Sequence, residues 1–255
     1  MMHLIDSHCH LDFDHFDQDR GSVLEHCQQL GVKQIIVPGV IATSWDKLMG
    51  ICQQSTMLHP ALGLHPMFMD QHKPEHLLQL QTLLCHQKII AIGEIGLDFY
   101  VPDYDKQAQI TLLSQQLELA QQSNLPVILH IRKAHDQMIS LLKKFTVKGG
   151  IVHAFNGSLQ QAKQYQQLGF LFGVGGIITH PKATRLISLF QALPLSSLVL
   201  ETDAPDMPLS GLQQQRNTPE NIPAILNALA QIRTENSEEI AMATTDNCQQ
   251  LFNIQ

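Results

Sequence analysis

Short apolar runs alternate with longer stretches of helical periodicity along the whole chain. The apolar runs predict eight strands: Leu4-Ile5 leading to Asp6, Gln34–Val37, Pro60–Leu64, Lys88–Gly93, Pro126–His130, Gly150–His153, Phe170–Gly173 and Ser197–Glu201. Between the first two, a helix from about Asp19 carries Val23, Leu24, Cys27 and Leu30 on one stripe and stops at Gly31. A second helix runs through Cys52 from a cap at Thr43 or Ser44, and a third spans about Pro74–Cys85. Further helices are expected over Asp105–Gln122, with Ile110, Leu113, Leu117 and Ala120 aligned, then over His135–Phe145, Ser158–Gly169 and Pro181–Ala192. Two closing helices, Pro219–Arg233 and Ser237–Leu251, follow the last strand. Strands that each return through a helix run parallel with right-handed crossovers. Eight of them predict an α/β fold, a (β/α)8 TIM-like barrel with an extra C-terminal helix, formed by one domain over residues 1–255. An open doubly wound sheet is the competing arrangement.

Composition narrows the setting. With 255 residues, 44% of them hydrophobic, the chain can bury a sizeable core. No basic segment followed by an apolar run lies near Met1, and no apolar run approaches membrane-spanning length, so a cytoplasmic protein is expected. The five cysteines are dispersed and form no Cys-x-x-Cys pair, which suits free thiols in a reducing compartment. A formal charge of −7 speaks against gripping nucleic acid by charge alone. Any phosphate substrate would need bound metal and local basic residues. Nothing points to an obligate protein partner, and a monomer is expected.

The candidate chemistry lies at the strand ends. His8 and His10 share a face after strand one, with Asp6 beneath them and Cys9 turned away. Glu94 ends strand four, His130 strand five and His153 strand six, while Asp203 follows strand eight. In a parallel barrel these ends meet at one rim, so four imidazoles and two carboxylates should converge. Nitrogen and oxygen donors without cysteine suit a divalent ion rather than a structural zinc site.

The motifs Asp6-Ser7-His8-Cys9-His10-Leu11-Asp12, Gly63-Leu64-His65-Pro66, Gly93-Glu94-Ile95-Gly96-Leu97-Asp98, Pro126–Arg132, Val152–Gly157 and Leu200–Pro205 resemble, in order, those of the TatD family of metal-dependent deoxyribonucleases. The resemblance covers about residues 4–252 and implies an amidohydrolase-type barrel with two divalent ions per chain, such as zinc, magnesium or manganese. It implies that His8, His10, Glu94 and Asp203 hold one ion, and that Glu94 bridges to a second held by His130 and His153. The implied activity is hydrolysis of single-stranded DNA from its ends, as a 3′–5′ exonuclease. A metal-dependent ester or amide hydrolase, such as an aminoacyl-tRNA deacylase or a small-molecule amidohydrolase, is the alternative, because the same ions polarise a carbonyl.

Asp203 is the expected general base, with Glu94 beside it. His65 is a candidate for binding phosphate or protonating the leaving oxygen, or else for holding the turn before Pro66. Arg132 is a candidate phosphate contact or a surface ion pair. Glu201 shares a face with Asp203 and is expected to orient a ligand. Asp12 and Asp98 belong to the motifs without an assigned role. The glycines of Gly173–Gly176 suit either a phosphate contact or a tight strand exit. Phe99, Tyr100 and Phe155 are candidate base-stacking surfaces or packing residues, and Asn217 precedes Thr218-Pro219, which reads as an N-cap followed by proline at N1.

Overall fold

Runs such as Ile35-Ile36-Val37 and Val127-Ile128-Leu129 are apolar at successive positions. Both faces of such a strand must therefore be covered, which requires a parallel sheet wrapped by helices. The computed structural model describes residues 2–100, 102–103 and 105–254. Its strands are β1 (Leu4–Asp6), β2 (Val32–Pro38), β3 (Leu58–Leu62), β4 (Ala91–Asp98), β5 (Val127–Arg132), β6 (Gly150–Val152), β7 (Phe170–Val174) and β8 (Leu198–Leu200). They form one sheet in sequence order, every adjacent pair parallel. The sheet closes where β8 meets the residues after β1. Ser7 donates its N–H to the Leu200 carbonyl at 2.9 Å, Asp203 to His8 at 2.9 Å and His10 to Ala204 at 2.8 Å. The result is a barrel, as the alternation predicted, rather than an open sheet.

The helices are α1 (Arg20–Gln29), α2 (Trp45–Gln53), α3 (Pro74–His86), α4 (Lys106–Ser123), α5 (His135–Leu142), α6 (Leu159–Gln167), α7 (Thr184–Ala192), α8 (Ile222–Ile232) and α9 (Ser237–Phe252). Two cores result. The large one lies between strands and helices and includes Trp45, Leu113, Leu117, Tyr165, Phe172 and Leu226. The smaller one fills the barrel with Ile5, Ile36, Ala61, Ile128, Ile151 and Val199, joined by Cys248, Phe252 and Ile254 from the end of α9. The five cysteines are free. Among the described residues no helix is long and apolar enough to cross a membrane.

Several boundaries differ from the sequence expectation for identifiable reasons. Strand four continues to Asp98 instead of ending at Gly93, so Glu94 lies inside the strand. Its ladder with β5 runs from Ile92↔Val127 to Ile95↔Leu129, one extra residue on β4. That bulge re-aims the local side chains, and Glu94 emerges 2% exposed within the barrel. Leu30 is exposed rather than on the buried stripe, because α1 has already ended at Gln29. Ser44 turns its hydroxyl back to the Ile41 carbonyl and caps nothing. Helix α7 begins at Thr184, since a 3-10 turn at Gly176–Thr179 and Pro181 occupy the approach. A 3-10 turn, Pro219–Asn221, likewise precedes α8.

Asn236 caps α9, accepting the N–H groups of Glu238 and Glu239 at 2.9 and 3.0 Å, while Glu239 accepts the Asn236 N–H at 2.9 Å. Since α9 packs on β1 and β8, Asn236→Ala is expected to cost about 1 kcal/mol of stability. Denaturant unfolding should show a lower midpoint at an unchanged slope.

Candidate metal centre

Chain closure places the donors. The residues following β1 continue across the rim, so His8 and His10 point inward with their Nε2 atoms 3.3 Å apart. The Pro38 carbonyl at the end of β2 lies 3.1 Å from His10 Nδ1 and accepts its proton, which turns Nε2 toward Glu94. The His8 ring stacks on His153 at 3.7 Å, and Phe13 stacks on His10 at 4.6 Å. Asp203 adopts a left-handed backbone, φ 59°, which aspartate tolerates better than most residues.

Glu94 is the centre of the arrangement. Its Oε2 lies 3.2 Å from His8 Nε2 and 3.4 Å from His10 Nε2. Its Oε1 lies 3.2 Å from both His65 Nε2 and His130 Nδ1. Asp203 faces the first pair across the rim, with Oδ1 3.5 Å from His8 and 3.6 Å from His10, and its Oδ2 lies 3.5 Å from His153 Nε2. All six expected donors therefore meet at one place.

Charge follows the same map. Burial works to raise the Glu94 pKa, but His65, His8, His10 and His130 around it hold the carboxyl well below its usual range. Asp203 is likewise held down against burial, first by His153 and then by His8 and His10. Burial opposes the charged form of His10, yet its hydrogen bond and attraction to Glu94 raise it to about 9. Burial lowers His65 to about 4, so that ring is neutral. Two ionised carboxylates are thus kept among imidazoles, a pocket prepared for positive charge.

The donor set fits divalent ions. His8, His10 and Glu94 form one compact group, His65, Glu94 and His130 a second, and His8, His153 and Glu201 a third. Donors bonded tetrahedrally to one ion at about 2.1 Å stand roughly 3.4 Å apart, matching the separations around Glu94. In the second group the two histidines differ. His65 Nδ1 accepts the Met67 N–H at 3.1 Å, so its proton sits on Nε2 and is donated to Glu94. His65 therefore holds the turn at Pro66, one of the roles expected from sequence, and also orients Glu94.

Glu201 is buried and accepts the Ala154 N–H at 2.7 Å, with its Oε1 3.1 Å from His153 Nδ1. Gly173 makes room for it: a Cβ there would stand 1.9 Å from Glu201 Oε2. At this glycine the structure shows a close approach of the Glu201 side chain. Gly173→Ala should expel the Glu201 carboxylate and cost about 1–3 kcal/mol, read as a fall in Tm together with weaker retention of divalent metal.

Arg132 lies beyond His130 at the end of β5. Its guanidinium sits 3.8 Å over the exposed Tyr100 ring rather than in an ion pair among the described residues. Phe155 is a packing residue, 1% exposed against Phe172. Thr218 is the N-cap residue with Pro219 following it, as expected, and Asn217 before them has a further role. Its buried amide donates to the Thr202, Asp206 and Met207 carbonyls at 2.9, 2.9 and 3.2 Å, which shapes the loop carrying Asp203. Asp98 also went unassigned from sequence, and lies 3.0 Å from His130 Nε2. A cleft of about 630 Å³ opens over the donors, lined also by Phe13, Val40, Met67, Phe68 and Arg132.

Comparison with known proteins agrees with this geometry. Residues 5–253 match the family described as TatD related DNase. The chain is 44% identical over 253 residues to the "uncharacterized metal-dependent hydrolase YjjV" of Escherichia coli K12, covering 98% of each. The YjjV crystal structure aligns with a TM-score of 0.96, over 99% of this chain and 98% of that one. Identity to deoxyribonuclease TATDN3 of Homo sapiens is 31% over 264 residues, 98% of this chain and 94% of the relative. A variant organophosphorus hydrolase from Deinococcus radiodurans, 13% identical with a TM-score of 0.65 over 98% of this chain and 92% of that one, shares the fold alone. With the match running almost from end to end, the chain belongs to the TatD-related DNase family of metal-dependent hydrolases.

Proposed function

We propose that the protein is a two-metal deoxyribonuclease that shortens single-stranded DNA from the 3′ end. The observation that carries this reading is Glu94, whose two oxygens each face a separate pair of imidazoles beneath an open cleft. His8, His10, Glu94 and Asp203 would hold one divalent ion, and Glu94, His130 and His153 the other. Such ions acidify a water and neutralise charge on phosphoryl oxygens. Asp203, ionised and still 15% exposed to the cleft, takes the proton from the attacking water. Phosphorus gains the water oxygen and loses the 3′ oxygen of the preceding nucleotide. His65, neutral with its proton on Nε2 and donated to Glu94, would pass that proton to the departing oxygen. Arg132 contributes a cation at the cleft mouth for the substrate phosphate.

A second reading has its own support. Arg132 is the one Lys or Arg among the described cleft-lining residues, much of the lining is apolar, and the chain carries −7 overall. A small ester or amide, or an aminoacyl ester on tRNA, suits that lining. The test adds Mg²⁺, Mn²⁺ or Zn²⁺ to metal-stripped protein with a single-stranded DNA labelled at either end. Stepwise, metal-dependent shortening from the 3′ end is the expected result. Intact DNA with every metal, alongside turnover of an aminoacyl or small-molecule ester, would replace it with the second reading.

A further inference from the structure

Asp98 ends β4 fully buried, and the chemistry above gives it no part. Its two carboxylate oxygens are committed to different groups. Oδ1 accepts the Tyr100 N–H at 2.8 Å, and Oδ2 lies 3.0 Å from His130 Nε2. The main chain here is clamped as well. Buried Gln109 on α4 accepts the Asp98 N–H and donates to the Asp98 carbonyl, both at 2.9 Å. Asp98 and Arg132 are paired in the β4–β5 ladder, so carboxylate and imidazole are carried by neighbouring strands. An ionised carboxylate only accepts, so the shared hydrogen belongs to His130 Nε2. Nδ1 lies 3.2 Å from Glu94 Oε1. In the neutral ring that nitrogen carries the lone pair, so a cation between Nδ1 and the carboxylate would take the place of a proton there.

From this juxtaposition we infer that Asp98 is a positioning residue, which fixes His130 in the tautomer whose Nδ1 binds a divalent ion shared with Glu94. The inference rests on the proposed reading of His130 as a metal ligand. Asp98→Asn isolates it, being nearly isosteric. The Tyr100 N–H keeps the introduced amide oxygen as its acceptor, which turns the NH₂ group toward His130 Nε2. That nitrogen must then accept, the ring proton moves to Nδ1, and the lone pair facing Glu94 is lost.

The experiment titrates Zn²⁺ into the metal-stripped full chain by calorimetry for wild type, Asp98→Asn and His130→Ala. Histidine ¹⁵N NMR reads the His130 tautomer, and circular dichroism checks folding. Both variants should lose about 10–100-fold in affinity for one zinc equivalent, and His130 should be protonated at Nε2 in wild type and at Nδ1 in Asp98→Asn. If His130→Ala loses zinc while Asp98→Asn binds like wild type with Nε2 still protonated, the inference is overturned and the ligand reading stands. Unchanged zinc binding in His130→Ala overturns both. Should Asp98→Asn fail to fold, the wild-type spectrum decides: a proton on Nδ1 in the zinc-bound protein sinks the inference.

Discussion

Asp203→Asn is expected to lower kcat by about 10²–10⁴-fold, the range that loss of a general base produces. The geometry explains why this residue should dominate. Its Oδ1 faces His8 and His10 and its Oδ2 faces His153, so it spans the rim from β1 to β6. The neighbouring imidazoles keep it ionised despite burial. An amide preserves size and one coordinating oxygen but cannot take a proton from water. The measurement is single-turnover cleavage at matched metal content, determined by atomic emission on the same samples. A kcat within threefold of wild type would remove Asp203 from the role of base.

Glu94→Ala is expected to have the wider effect, because one side chain serves two groups of donors. Removing it deletes the carboxylate that faces His8 and His10 on one side and His65 and His130 on the other. Four imidazoles would then share a buried space without the anion that balances them, and stripping one partner from such a buried array costs about 3–5 kcal/mol. The expected outcome is loss of at least one metal equivalent per chain, turnover below detection and a lower Tm. In Glu94→Gln the side-chain volume is kept, so stability should recover more than metal content. Equal metal stoichiometry in wild type and both variants would show that Glu94 is not the shared ligand.

Arg132 and His65 illustrate how far each kind of information reaches. Their positions after strands five and three place both near the rim on motif and strand order alone. Whether Arg132 would pair with an acid or face the cleft depends on Tyr100, which comes from the neighbouring strand's exit and turns its ring under the guanidinium. That His65 holds the turn through Nδ1 and reaches Glu94 through Nε2 follows from the Met67 N–H, which fixes the ring proton on Nε2.

The alternation of apolar runs and helical periods was enough to determine eight parallel strands wrapped by helices, because period and burial are properties of consecutive residues. Closure into a barrel rests on the contacts of the residues after β1 with those around β8. His8, His10, Glu94, His130, His153 and Asp203 were also legible as rim residues, since each stands at or just beyond the end of a recognisable apolar run and parallel strands share one rim. Tertiary structure decided the rest. The bulge at Glu94 exists only in register with β5, and that register turns the carboxylate inward. The parts played by Asp98 on His130, Pro38 on His10 and Asn217 on the Asp203 loop are likewise written in partners brought together by folding. Hydrogen bonds reach only about 3 Å and depend on direction. A local pattern can bring a residue to the rim, but only the packed strands determine which atom of it is left free to bind.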